Sequence, residues 1–90
     1  SRVKGYINEN FAKDISLDDV SRLVDISPYY FSKLFKQGTG ENFIEYLTRT
    51  RMRQACVCLR NPDYSIKQIC AMVGYSDPNY FSRIFKKYKV

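Results

Sequence analysis

Nearly the same octapeptide occurs twice in this chain: residues 29–36 read YYFSKLFK, and residues 79–86 read NYFSRIFK. The likeness extends towards the N-terminus, since residues 16–27 (SLDDVSRLVDIS) and residues 65–76 (SIKQICAMVGYS) share their apolar positions. The one change of register between the two copies is an inserted Asp77. The chain is therefore expected to build one small structural unit twice.

Each copy of the repeat indicates a first short helix followed by a turn. Ser16 and Ser65 are good N-cap residues, and Ser65 forms a capping-box pattern with Gln68. In the turn, Gly74 accepts a positive φ freely, and Asp25 at the matching place tolerates it. The apolar positions recur at helical spacing and predict a buried stripe. They are Leu17, Val20, Leu23 and Val24, matched by Ile66, Ile69, Met72 and Val73.

The second helix of each copy begins at a proline, Pro28 or Pro78, which suits the first helical position. Its apolar face is expected to be buried, because the apolar residues follow helical spacing. These residues are Phe31, Leu34 and Phe35 in the first copy and Phe81, Ile84 and Phe85 in the second. Two short helices joined by a turn form a helix-turn-helix, so the sequence predicts two such units.

A longer helix is predicted between the two units, because no Pro or Gly interrupts residues 41–61. Gly38 and Gly40 end the preceding helix, and Asn61 with Pro62 ends this one. Such a helix of about 18 residues would span roughly 27 Å. The fold class is all-α, with six to seven helices in one domain. Its expected parts are an N-terminal helix with the first helix-turn-helix (1–40), the linker helix (41–61) and the second helix-turn-helix (62–90).

The composition limits the chemistry that this chain can perform. A formal charge of +6, from 15 basic and 9 acidic residues, suits a polyanionic partner. The sequence contains no His, which removes the commonest general base and a common metal ligand. Three cysteines cannot pair completely, and Cys56 and Cys58 point apart on a helix, unlike zinc ligands. We expect a cytoplasmic domain that is not an enzyme and has no cofactor, metal or membrane span.

The outward faces of the second helices carry side chains that suit direct readout in a DNA major groove. There Arg and Lys donate to guanine, Asn pairs with adenine, and an aromatic ring packs on a thymine methyl group. Base contacts come mainly from the N-terminal part of a recognition helix. The residues expected to contact bases are Tyr29, Ser32, Lys33, Asn79, Ser82 and Arg83. Those expected on phosphates lie later and are Lys36, Lys86 and Lys87.

Two further tyrosines, Tyr30 and Tyr80, lie nearer the apolar side. We interpret them first as packing residues at the boundary of the core and second as phosphate donors. The copies agree at the positions that pack and differ most at the outward tip, where Tyr29 stands against Asn79. Such a difference is what reading two base sequences requires. For a single helix, the alternative of an ordinary solvated face would be favoured, and the two copies together shift the interpretation towards DNA reading.

One alternative is a helical protein–protein module, whose Tyr- and Lys-rich faces would dock an acidic partner such as an RNA polymerase subunit. RNA binding is a more distant alternative, because RNA recognition usually stacks unpaired bases on a sheet or loop platform.

From about Ile15 to its end, the chain resembles the DNA-binding domain of the AraC/XylS family of bacterial transcription regulators. The most specific stretch is VGYSDPNYFSRIFKKY, and Thr39-Gly40, Arg51-Met52 and Ala55 also match. The resemblance implies seven helices, two recognition helices in successive major-groove segments, and phosphate contacts that include Ser65. It also implies a transcription activator with a separate sensing or receiver domain. Family members usually continue into a closing helix, which this sequence lacks, so Phe85 is expected to lose a neighbour.

Overall fold

The computed structural model describes residues 2–89, and within that range it contains helices and no strands. The helices are α1 (Arg2–Asn10), α2 (Leu17–Leu23), α3 (Pro28–Thr39), α4 (Phe43–Cys58), α5 (Ile66–Met72) and α6 (Pro78–Lys89). The all-α prediction with two helix-turn-helix pairs, α2–α3 and α5–α6, is confirmed. Residues 2–89 form six helices, not the seven that the resemblance implied. None of these helices is long and apolar enough to span a membrane.

Capping residues define where the helices begin. Ser65 Oγ accepts a hydrogen bond from the Gln68 amide at 3.1 Å, and Gln68 Oε1 accepts one from the Ser65 amide at 2.7 Å. Ser16 forms the same reciprocal box at the start of α2. A further box between Asn42 and Glu45 begins α4. This box places the start of α4 at Phe43, and the helix ends at Cys58, before the predicted stop at Asn61. It therefore has 16 residues, fewer than predicted, and is about 24 Å long.

The turns have the predicted backbone conformations. Asp25 has a φ of 55° and Gly74 a φ of 105°, so both turns use the left-handed region. Gly40, with a φ of 81°, ends α3 as predicted, but the expectation that Gly38 also ends it is wrong, because Gly38 lies within the helix. A side chain at Gly74 would also lack space, because a Cβ there would lie 3.2 Å from the Ala12 Cα.

Two apolar cores lie along the molecule, which measures 42 × 22 × 21 Å. Helix α4 contributes to both cores and packs against α3 as well as α5 and α6. Phe11, in the connection between α1 and α2, packs against both. The first core consists of Val3, Ile7, Ile15, Val20, Phe31, Phe35, Phe43 and Leu47. The second consists of Met52, Ala55, Cys58, Ile69, Cys70, Val73 and Phe81.

The prediction of one buried stripe is wrong at two positions of α5. Ile69 and Val73 are fully buried, but the Ile66 side chain is 49% exposed and that of Met72 is 41% exposed. The reason is the neighbourhood of each helix. In the first unit α1 packs against α2, whereas α5 packs against α4 and α6 and turns its outer side to solvent.

The predicted burial of Leu34 is also wrong, since this side chain is 43% exposed. Phe31 and Phe35 of the same face are buried. Leu34 lies at the edge of that face, where a shallow apolar groove between α1 and α3 remains open. In the second unit Ile84 and Phe85 are half-buried and pack against the second core.

Candidate nucleic-acid interface

The outward side of α3 forms the first candidate surface. Tyr29, Ser32, Lys33 and Lys36 line one shallow depression together with Gln37, and we call these five residues the α3 surface. The helix begins at Ser27, whose Oγ accepts a hydrogen bond from the Tyr30 amide at 3.2 Å. The predicted contacts of the first unit therefore lie together and are accessible from one side.

The tip of the α3 surface is a tyrosine paired with a cation. The Tyr29 side chain is 71% exposed. The Lys33 ammonium lies over its ring, with Nζ 4.9 Å from the ring centroid. A cation in this position is attracted to the face of an aromatic ring, so the pair holds a positive charge near the start of the helix.

The outward side of α6 forms the second candidate surface, which we call the α6 surface: Asn79, Tyr80, Ser82, Arg83, Lys86 and Lys87. All of these residues are exposed except Ser82, which is half-buried. The helix begins beside Asp77, whose Oδ1 accepts a hydrogen bond from the Asn79 amide at 3.0 Å. Tyr80, Arg83 and Lys87 border a depression that α4 also lines, through Thr48. Asn79, Ser82 and Lys86 do not line this depression.

Aromatic rings pack beneath the Arg83 side chain of the α6 surface. The Arg83 guanidinium carbon lies 5.9 Å from the centroid of the Tyr80 ring. The Tyr80 ring in turn contacts the Tyr75 ring, with 5.9 Å between centroids. Tyr80 is 47% exposed, so it packs at the boundary of the core and part of it remains accessible to solvent.

Both surfaces carry cations and no carboxylate. Between Pro28 and Thr39, and again between Pro78 and Lys89, the sequence contains no Asp or Glu. A nearby carboxylate, Glu41, is already paired: each of its oxygens accepts a hydrogen bond from Arg49 Nε at 3.0 Å. These bonds lower the pKa of the Glu41 carboxyl and raise the pKa of the Arg49 guanidinium. The surfaces therefore suit a polyanion.

Two residues interpreted as phosphate contacts lie outside the two surfaces. One is Tyr30, which is 52% exposed. The other is Ser65. Its amide and its Oγ both take part in the capping box of α5. The hydroxyl proton is not used by that box and is the group that Ser65 can offer to a phosphate.

Three residues of the depressions were not predicted from the sequence: Gln37, Thr48 and Tyr88, the last near the C-terminal end of α6. Gln37 occupies the position in the first copy that Lys87 occupies in the second, so the repeat itself identifies it. Thr48 belongs to α4, and no local pattern in the sequence places it beside Arg83.

The thiols show no sign of metal binding. Cys58 and Cys70 are buried and Cys56 is exposed. Burial raises the pKa of the Cys70 thiol, whose Sγ donates a hydrogen bond to the Tyr75 carbonyl at 3.3 Å. Among residues 2–89, no cluster of acidic or Cys side chains has the geometry of a metal site.

Residues 20–89 match a family model described as a helix-turn-helix domain. The chain is 40% identical over 83 residues to the lactose operon transcription activator of Staphylococcus xylosus. This alignment covers 92% of this chain and 30% of that protein. This chain likewise spans about three tenths of the length of other curated relatives with a similar match.

Two solved structures have the same fold. The C-terminal domain of the two-component response regulator yesN from Fusobacterium nucleatum superposes with a TM-score of 0.90 at 33% identity, over 97% of this chain and 91% of that one. A transcriptional regulator from Chromobacterium violaceum, described as containing an AraC-type DNA-binding domain, superposes with a TM-score of 0.89 at 26% identity. That match covers 97% of this chain and 78% of the other.

Proposed function

Because this chain belongs to the AraC/XylS family, whose helix-turn-helix domains bind DNA in transcription regulators, we propose that its α3 and α6 surfaces read two successive major-groove segments of one duplex site. One observation carries this proposal. Two equivalent helices expose cationic, carboxylate-free surfaces that differ at the tip, where Tyr29 in one corresponds to Asn79 in the other.

The proposed contacts divide into those that specify and those that position. The N-terminal parts of α3 and α6 would enter the groove, as recognition helices do, and contact base edges. The base contacts are Tyr29, Ser32, Lys33, Asn79, Ser82 and Arg83. The later cations and hydroxyl groups would bind phosphates and fix the register. The phosphate contacts are Lys36, Ser65, Tyr80, Lys86 and Lys87.

The dimensions of the molecule support a two-part site. Successive major-groove segments on one side of a duplex are about 34 Å apart. The longest dimension of the domain is 42 Å, and α4 supplies a spacer between the two units. One chain would therefore span an asymmetric site without a second copy.

We further propose that the chain is the DNA-reading part of a longer, cytoplasmic regulator that is not an enzyme. The chain spans about three tenths of its curated relatives, and a similar solved domain belongs to a response regulator. The remaining part would be a sensing or receiver domain. Contact with RNA polymerase is compatible with this role, because the DNA-facing surfaces use only one side of each recognition helix.

Selection of this domain against a random duplex library tests the proposal. We expect an enriched asymmetric motif with two parts whose centres lie about 10 base pairs apart. Recovery of no motif would contradict DNA reading and favour a protein–protein module. Displacement of the selected duplex by single-stranded RNA at similar concentration would favour RNA binding instead.

A further inference from the structure

Arg51 lies where the two helix-turn-helix units meet. It projects from α4, and its Nε donates a hydrogen bond to the Phe11 carbonyl at 2.7 Å. Its Nη2 donates a second bond to the Lys13 carbonyl at 2.9 Å. Both carbonyls belong to the connection between α1 and α2, on the side of the first unit. One guanidinium thus holds two backbone groups that are distant from it in sequence.

The same guanidinium also contacts the turn of the second unit. Its central carbon lies 5.1 Å from the centroid of the Tyr75 ring. A Cβ placed on Gly74, the residue before that ring, would lie 3.0 Å from Arg51 Nε. The turn between α5 and α6 is therefore pressed against Arg51, and the absence of a side chain at Gly74 makes this close approach feasible.

From Tyr75 a series of ring contacts continues to the α6 surface. The Tyr75 ring contacts Phe81 of the second core, with 5.8 Å between centroids, and it also contacts Tyr80. Tyr80 lies under the guanidinium of Arg83, a proposed base contact. Arg51 is thereby linked to a reading residue without being part of either surface.

We propose that Arg51 is a positioning residue that fixes the relative placement of the α3 and α6 surfaces, and so determines which spacing between the two parts of a DNA site the domain accepts. This inference rests on the proposed function. The shared apolar contacts of Phe11 resist separation of the units but are not directional. The planar guanidinium fork adds direction, because two hydrogen bonds and one ring contact must be satisfied together.

Two substitutions and a matched control isolate this role. Arg51→Met keeps the length of the side chain and removes the fork. Arg51→Lys keeps the charge but replaces the fork with a point-like ammonium, which cannot reproduce both bonds and the ring contact. Arg53→Met removes the same charge from an exposed position of the same helix. The probes are the duplex recovered by random selection and two derivatives with one base pair added or removed between its two parts.

We expect the wild-type domain and Arg53→Met to lose about tenfold or more in affinity when the spacing is altered, a difference of about 1.4 kcal/mol. Arg51→Met should lose less than about threefold, and Arg51→Lys should lie between the two. A role in stability alone would lower the amount of folded protein without changing this ratio. Circular dichroism before each titration verifies that the variants are folded.

A measurement without DNA completes the test. Residual dipolar couplings of the free wild-type domain should fit one alignment tensor across both units, whereas Arg51→Met should require two. If Arg51→Met keeps the wild-type spacing preference and a single tensor, the inference is overturned while the proposed function stands. If Arg51→Met does not fold, the spacing preference and the alignment tensors are compared with those of Arg51→Lys instead. Wild-type behaviour of Arg51→Lys in both measurements then overturns the inference. If selection returns no motif, both the proposed function and the reading role of Arg51 fail.

Discussion

The Lys33 ammonium lies over the Tyr29 ring, one turn back along α3, whereas Arg83 at the matching position of α6 lies over Tyr80. Tyr29 therefore both presents a ring to a partner and positions the cation beside it. In the second unit Asn79 stands in its place, and the cation uses the following ring instead. The two tips thus differ in shape as well as in chemistry.

Replacing Tyr29 is expected to change the base preference of one part of the site only. Tyr29→Ala removes the ring that would pack on a base and also the surface that attracts Lys33. Tyr29→Phe is the control, because it keeps the ring and should resemble the wild type. Selection with each variant measures the effect. An altered preference in both parts of the site, or in neither, would contradict the assignment.

Arg83→Ala and Asn79→Ala are expected to relax base preference in the other part of the site. Each should lose about 1–3 kcal/mol of discrimination, as bidentate base contacts do. Competition between duplexes with single base changes measures this difference, and Arg60→Ala, an exposed arginine outside both surfaces, serves as the control. A uniform loss of affinity in Arg83→Ala, with preference unchanged, would show that Arg83 binds phosphate.

Lys36→Ala is expected to weaken binding to all sequences alike. A phosphate contact carries no base information, and its loss should flatten the log–log dependence of affinity on salt by about one unit. Titrations between low and moderate salt measure the slope, with Lys13→Ala as the control. The phosphate assignment fails if the slope does not change or if base preference does.

The two isoleucines of α5 should differ sharply in their contribution to stability. Ile69 is fully buried, so Ile69→Ala should lower the free energy of unfolding by about 2–5 kcal/mol. Ile66 is 49% exposed, and Ile66→Ala should cost less than about 1 kcal/mol. Urea denaturation of both variants provides the comparison. Equal losses would mean that the outer side of α5 is covered in solution.

Stability is expected to be constant near neutral pH and to fall in acid. The sequence has no His, and hydrogen bonds from Arg49 lower the pKa of Glu41 below its ordinary value of 4.5. A carboxyl whose pKa is lower in the folded state stabilises fully above its unfolded pKa and loses that contribution as pH falls through the folded value.

Glu41→Gln should therefore reduce the loss of stability between about pH 5 and pH 3. Glu45→Gln is a matched control with a different partner, the Asn42 amide. Urea denaturation at several pH values measures the slope. An unchanged slope in Glu41→Gln would mean that the pair with Arg49 does not persist in solution.

Local patterns were sufficient to predict most of the helices, caps and turns. The capping box of Ser65 and Gln68 depends only on residues close in sequence, and so do the turns at Asp25 and Gly74. The structure shows the predicted cap and the predicted backbone conformations. The box of Asn42 and Glu45 is equally local and could have corrected the start of α4. The outward positions of α3 followed from helical geometry alone.

Burial and long-range contacts could not be predicted in the same way. Ile66, Met72 and Leu34 lie at apolar positions of their helices, but their exposure depends on which neighbouring helix covers them. Arg51 is a conventional helix residue by sequence, and its role depends on carbonyl groups 40 and 38 positions away. The repeated pattern predicts each helix-turn-helix unit. The junction between the units occurs only once, so no repeat in the sequence identifies it.

If the α3 and α6 surfaces read DNA as proposed, the inequality of Tyr29 and Asn79 contributes a polarity to the complex. Two identical tips related by a two-fold axis would bind a symmetric site equally well after rotation by half a turn, so the orientation of such a protein on DNA would carry no information. With different tips, the chain would bind an asymmetric site in one orientation only. A domain attached to its N-terminal end would then face upstream or downstream according to the orientation of the site in the promoter.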